Sequence, residues 1–101
     1  MGQINWKTSE QVDKLFKKEK KSVIKIHGAD WCNYCKKLKK SINKNAKVIN
    51  KEWYAIYIDN TEKKDVNVRI YPTTYVWHKN GTNMSIEGFF EEELLKAIIN
   101  Q

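Results

Sequence analysis

Hydrophobic and polar positions change their period several times along the chain. Val12, Leu15 and Phe16 recur on one face of a helix, behind Thr8 and Gln11 at the spacing of a capping box. The pattern predicts a first helix from about Ser9 to Lys20, its lysines on the wet side. Ser22 to His27 is a short β-rich run ended by Gly28 and reads as a strand. From Asn33 onward Cys35, Leu38 and Ile42 fall at helical spacing among lysines, which predicts a second helix to about Lys44. Trp53 to Asp59 is aromatic and β-branched throughout and apolar on both faces, as a central strand would be. Thr61 to Arg69 is polar with only a weak helical pattern. Thr73 to Lys79 is another strand-like run, and Asn80-Gly81 is a strong hairpin signal that makes Asn83 to Glu87 the return strand. Gly88 ends the hairpin. Phe90, Leu94, Leu95, Ile98 and Ile99 then mark a closing amphipathic helix, with Glu91, Glu92 and Glu93 at its positive end.

The 101 residues suffice for one domain spanning 1–101, and the 41% apolar fraction is ordinary for a packed globule of α/β class. No stretch approaches the roughly 18 to 20 apolar residues of a membrane span, so a soluble protein with no membrane span is expected. The net charge of +7 comes almost entirely from lysine, concentrated in Lys17 to Lys21 and Lys36 to Lys40. Nucleic-acid recognition usually adds arginine, and Arg69 is the only one. The lysines therefore read as solvated helix faces, and no nucleic-acid partner is expected. Met1 to Trp6 shows no basic leader followed by an apolar run. The expected compartment is the cytoplasm if Met1 is the natural start, and extracytoplasmic (periplasmic or secreted) if an export signal has been removed.

Chemistry concentrates in Trp31-Cys32-Asn33-Tyr34-Cys35, which holds both cysteines of the chain, between a strand and a helix. Disulfide exchange needs a thiolate, and the free N–H groups at a helix N-terminus favour one. Cys32 is the candidate nucleophile, facing outward at the helix mouth. Cys35, one turn later and facing inward, is the resolving thiol, kept protonated by burial. Trp31 offers a flat apolar rim beside Cys32, Tyr34 a half-exposed addition to it, and Asp30 local hydrogen bonding. His27 and His78 could nominally complete a Cys2His2 set, but their spacing is wrong for a zinc finger, and neither a metal nor a cofactor is expected.

Ala29-Asp30-Trp31-Cys32-Asn33-Tyr34-Cys35-Lys36, then Tyr71-Pro72-Thr73, then Lys79-Asn80-Gly81, then Gly88 together resemble the thioredoxin family over nearly the whole chain. Ala-Asp-Trp-Cys is similar to the branch that includes bacterial disulfide reductases and isomerases. The resemblance implies a thioredoxin fold, with a mixed sheet of about four strands and helices on both faces. It also implies a cis bond before Pro72, packed against the cysteine pair, with Tyr71 offering its backbone to an extended substrate. The implied activity is thiol-disulfide exchange, foremost reduction of disulfides in protein substrates by a monomer that an electron-donor reductase recharges. Isomerase or oxidase activity, and a non-catalytic peptide-binding adaptor, are the alternatives. Three departures stand out. Ile26 occupies the position of the family's buried carboxylate, Asn33-Tyr34 replaces Gly-Pro between the cysteines, and the single Gly88 disfavours glutathione dependence.

Overall fold

The computed structural model describes residues 3–100. Among them, the elements run β1 (Trp6–Lys7), α1 (Ser9–Lys18), β2 (Ser22–Gly28), α2 (Asn33–Lys44), α3 (Ala46–Glu52), β3 (Trp53–Asp59), β4 (Thr73–Trp77), β5 (Asn83–Glu87) and α4 (Glu92–Ile99). The strands form one five-stranded sheet in the order β1-β3-β2-β4-β5. β1, β3 and β2 are parallel, β4 runs antiparallel to β2, and β5 antiparallel to β4. The expected sheet of about four strands gains a fifth, because two residues of β1 align Trp6 with Ala55 and Lys7 with Ile56.

Local chemistry sets the element ends. Thr8 Oγ1 accepts from Gln11 N at 3.1 Å while Gln11 Oε1 accepts from Thr8 N at 2.9 Å, a complete capping box that starts α1. α2 ends where expected, but the chain continues as α3. Asn45 links the two helices, its amide donating to Ser41 O at 2.9 Å and to Glu92 Oε2 at 3.2 Å. The β4–β5 hairpin closes through His78 N to Thr82 O and Gly81 N to His78 O, with Gly81 at φ 96°. A left-handed residue closing a three-residue loop is what glycine tolerates best. No helix forms between β3 and β4, where the sequence carried only a weak helical pattern.

Alternation along β2 and β3 divides the interior into two layers. Ile24, Ile26, Trp53 and Ala55 meet Leu38 and Ile42 of α2, Ile49 of α3 and Leu95 and Ile98 of α4. The residues between them, Tyr54 and Ile56 with Val23, meet Val12 and Leu15 of α1. Helices thus lie on both faces of the sheet, three on one and one on the other. No helix among the described residues is long and apolar enough to cross a membrane.

Candidate active site

β2, the central strand, ends at Gly28, where Asn60 N donates to Gly28 O at 2.7 Å and ties the ends of β2 and β3 together. Ala29 to Trp31 make a tight turn, closed by Cys32 N donating to Ala29 O at 3.1 Å. Cys32 is the N-cap of α2 in extended conformation, and its Sγ accepts from Cys35 N at 3.2 Å. This sulfur occupies the place where Ser, Thr or Asp usually satisfies a free amide at a helix start. The sulfur thus lies at the positive end of the helix, with a backbone donor aimed at it. Both cysteines are free thiols.

Cys35 is inward as expected, 1% exposed, but Cys32 is only 8% exposed rather than openly outward. Tyr71 and Ala29 pack around both sulfurs. As a thiol, Cys32 donates to Tyr71 O at 3.5 Å, so the segment before Pro72 lies directly over the Cys32 sulfur. The Tyr71–Pro72 bond is cis. The Cys32 sulfur is thus reached only through a narrow gap beside the Tyr71 backbone. Burial first, and then the hydrogen bond and charge of Cys32, push the Cys35 thiol up to about 12. Cys35 is thus held protonated.

Trp31 and Tyr34 stand out at 57% and 58% exposure. Trp31 Nε1 donates to Thr61 O at 3.2 Å, and its ring meets Tyr71 edge-on at 5.7 Å. Tyr34 lies 5.8 Å from Phe89, with Lys37 Nζ 5.8 Å from both rings. The structure thus brings Trp31, Cys32, Cys35 and Tyr71 together, with Pro72 next to Tyr71 in the chain and Tyr34 on the helix start. Phe89, which sequence reasoning passed over, extends this rim; its only signal was the aromatic pair Phe89-Phe90 after the hairpin glycine.

Two further groups were missed. Thr61 anchors the turn, since its Oγ1 accepts from Asp30 N at 2.8 Å. Its own N–H and hydroxyl donate to Asp59 Oδ1 and hold that carboxyl below its ordinary range. Asp30 is accordingly fixed through its backbone. Tyr57 lies opposite Ile26 in the sheet, and a Cβ built on Gly28 would sit 2.1 Å from the Tyr57 hydroxyl. Gly28 leaves the space that this phenol fills beneath α2. Burial, and then the negative charge of an ionised Cys35, push the Tyr57 phenol well above its ordinary value. Ile26 itself is fully buried, with Tyr57 on one neighbouring strand and Thr74 on the other. The side chains flanking this position are hydroxyl-bearing, and both are neutral at ordinary pH.

The histidines serve elsewhere. His27 Nδ1 shares a hydrogen bond with Asn60 Oδ1 at 3.0 Å, and His78 packs edge-on against Trp53 at 5.2 Å, beyond the other end of β2. Among the described residues, no three His, Cys, Asp or Glu side chains converge as metal ligands would.

Comparison with known proteins agrees with this geometry. The sequence model of the thioredoxin family, described as Thioredoxin, matches residues 3–101. No curated protein sequence matches the chain. Among solved structures, a chloroplastic thioredoxin z superposes with a TM-score of 0.79 at 20% identity, covering 100% of this chain and 95% of the other. The germline-specific thioredoxin Deadhead of Drosophila melanogaster gives 0.69 at 20% identity, covering 99% and 97%. A DsbH oxidoreductase gives 0.72 at 13% identity, covering 98% and 86%. At such identities these likenesses concern the fold.

Proposed function

The chain belongs to the thioredoxin family, and from that premise we propose that it is a thiol-disulfide oxidoreductase that reduces disulfides in protein substrates. Members of the family are typically thiol-disulfide oxidoreductases that act on disulfide-containing proteins. The observation that carries the reading is Cys32 at the N-cap of α2, its sulfur accepting from Cys35 N at 3.2 Å beneath the Tyr71 carbonyl.

The Cys32 thiolate attacks one sulfur of a substrate disulfide, forming a mixed disulfide and releasing the other substrate sulfur as a thiolate that takes a proton. Cys35 then gives up its proton and attacks Cys32 Sγ. The Cys32–Cys35 bond forms, the bond from Cys32 to substrate breaks, and the second substrate thiolate is released and protonated. Substrate gains two electrons and two protons, and the cysteine pair is oxidised. Trp31 and the Tyr34–Phe89 pair supply flat apolar surface around the gap, and the Tyr71 backbone offers an edge to an extended segment.

Reduction is the direction proposed, with a separate electron-donor reductase recharging the pair, and the reduction potential decides it. In an insulin reduction assay with dithiothreitol, the protein accelerates precipitation, Cys32→Ser abolishes the effect, and Cys35→Ser accumulates a mixed disulfide. Equal rates for parent and Cys32→Ser would overturn the enzymatic reading in favour of a peptide-binding adaptor. A reduction potential near roughly −270 mV supports a reductase, whereas one near roughly −120 to −180 mV assigns the pair to oxidation or isomerisation.

A further inference from the structure

The sheet is covered unequally. Five strands spaced by about 4.8 Å span roughly 19 Å, about twice the width of one helix. On one face α2, α3 and α4 fill that width, while on the other only α1 is present, packed over β3 and the start of β2 through Val12 and Leu15. Beside α1, toward β4, lies an open groove of about 510 Å³. That volume falls in the usual range of binding sites, about 300 to 1,000 Å³.

The groove has an apolar floor and a charged rim. Val12, Phe16, Val23, Ile56 and Trp77 form the floor, with Phe16 37% and Trp77 40% exposed. Around them stand Lys20, Lys21, Lys25 and Lys79, against the single acid Asp13. Lys21 is partly engaged with Glu19 at 4.0 Å, and Lys25 lies 5.5 Å from the Trp77 ring. The remaining excess is positive, and it encloses a strip of apolar surface open to solvent.

We propose that this groove docks an acidic amphipathic helix of a protein partner. The uncovered strip is one helix wide, the floor accepts an apolar stripe, and the lysines meet carboxylates on the flanks of such a helix. Planar base recognition is less well served, because the rim carries no arginine. The site is remote from the cysteines. Val23 stands at the start of β2 and Gly28 at its end, roughly 17 Å of strand apart, with Cys32 beyond. A partner held here leaves the gap above Cys32 open, so the surface recruits a partner without occupying the redox centre.

The test uses the whole protein and a synthetic 15-residue peptide with Leu and Phe at helical spacing and Glu at the other positions, followed by amide chemical shifts. Saturable binding is expected, with shifts at Phe16, Val23, Trp77 and Lys79 and none at Cys32 or Tyr71. The double variant Lys20→Glu/Lys79→Glu, which alters exposed side chains alone, should weaken binding by about tenfold while insulin reduction stays at the parent rate. Phe16→Asp should weaken it similarly, with its fold checked by circular dichroism. Shifts centred on Cys32, unchanged affinity in the lysine variant, or equal binding of a scrambled peptide of the same charge would each overturn the proposal. So would tighter groove binding by dodecanoate or by oligo(dT), which would reassign the site to a small amphipathic anion or to single-stranded nucleic acid.

Discussion

The two faces of the sheet are built to different standards. On the α2–α3–α4 face Ile24, Ile26, Leu38, Ile42, Ile49, Val76 and Leu95 are all fully buried. On the α1 face the buried hydrophobic cluster is Val12, Tyr54 and Ile56, and Phe16 and Trp77 stay in contact with water. The difference tracks the chemistry. Cys35 projects into the covered side, where exclusion of water sets its protonation, and a rigid shell is what holds two sulfurs in register. The open side carries no such demand and is free to present apolar surface.

The largest contrast should appear in stability. Leu38→Ala removes a fully enclosed side chain from the covered face and should cost about 2–5 kcal/mol, read as a lower urea midpoint at constant slope. Phe16→Ala on the open face, where much of the ring already meets solvent, should cost about 1 kcal/mol. Similar losses for the two would mean that the faces are packed alike, and the comparison would fail.

Gly28 gives a finer probe of the covered face. A methyl group there would meet the Tyr57 hydroxyl at 2.1 Å and its ring carbon Cζ at 2.8 Å. Gly28→Ala should therefore cost about 1–3 kcal/mol through overpacking. Tyr57→Leu lacks both offending atoms, so the double variant should be more stable than the sum of the single changes implies. Additive losses would show that Gly28 is required for its backbone and not for the space it leaves.

Sequence reasoning reached the two faces unevenly, for reasons that lie in individual residues. The Thr8–Gln11 box, the inward stripe of Cys35, Leu38 and Ile42, and the Asn80-Gly81 hairpin were legible because each is set by neighbours within a few residues. β1 was not, because two residues are too short to display alternation, and its partners Ala55 and Ile56 lie far along the chain. α3 escaped because Lys47, Asn50 and Lys51 mask the two buried positions Ala46 and Ile49. Thr61 to Arg69 had a faint helical pattern, yet the segment spends its polar groups on Asn60, Thr61 and Asp65 contacts instead. At the site, the spacing of Cys32 and Cys35 was legible and the cover over Cys32 was not, since Tyr71 comes from 39 residues away. The Gly28–Tyr57 fit is likewise a meeting of two strands that no local pattern announces.

The last contrast concerns protons and separates the faces by titration. In the reduced protein Cys35, ordinarily near 9.0, is pushed up to about 12, foremost by burial on the inner face of α2. Between those values the unfolded chain has lost this proton and the folded chain keeps it. The folded state binds more protons, so stability falls as pH rises, by at most about 1.4 kcal/mol per pH unit, and is fully retained below pH 9. Tyr57 is shifted in the same direction and deepens the fall above its ordinary 10.0. Urea unfolding of the reduced protein across pH 8 to 11 measures the slope. Cys35→Ala should flatten it between pH 9 and 10, whereas Lys25→Gln on the open face should leave it in place. A slope that survives loss of Cys35 would place its origin outside the covered face, and the distinction between a water-excluding redox side and a solvated docking side would lose its electrostatic support.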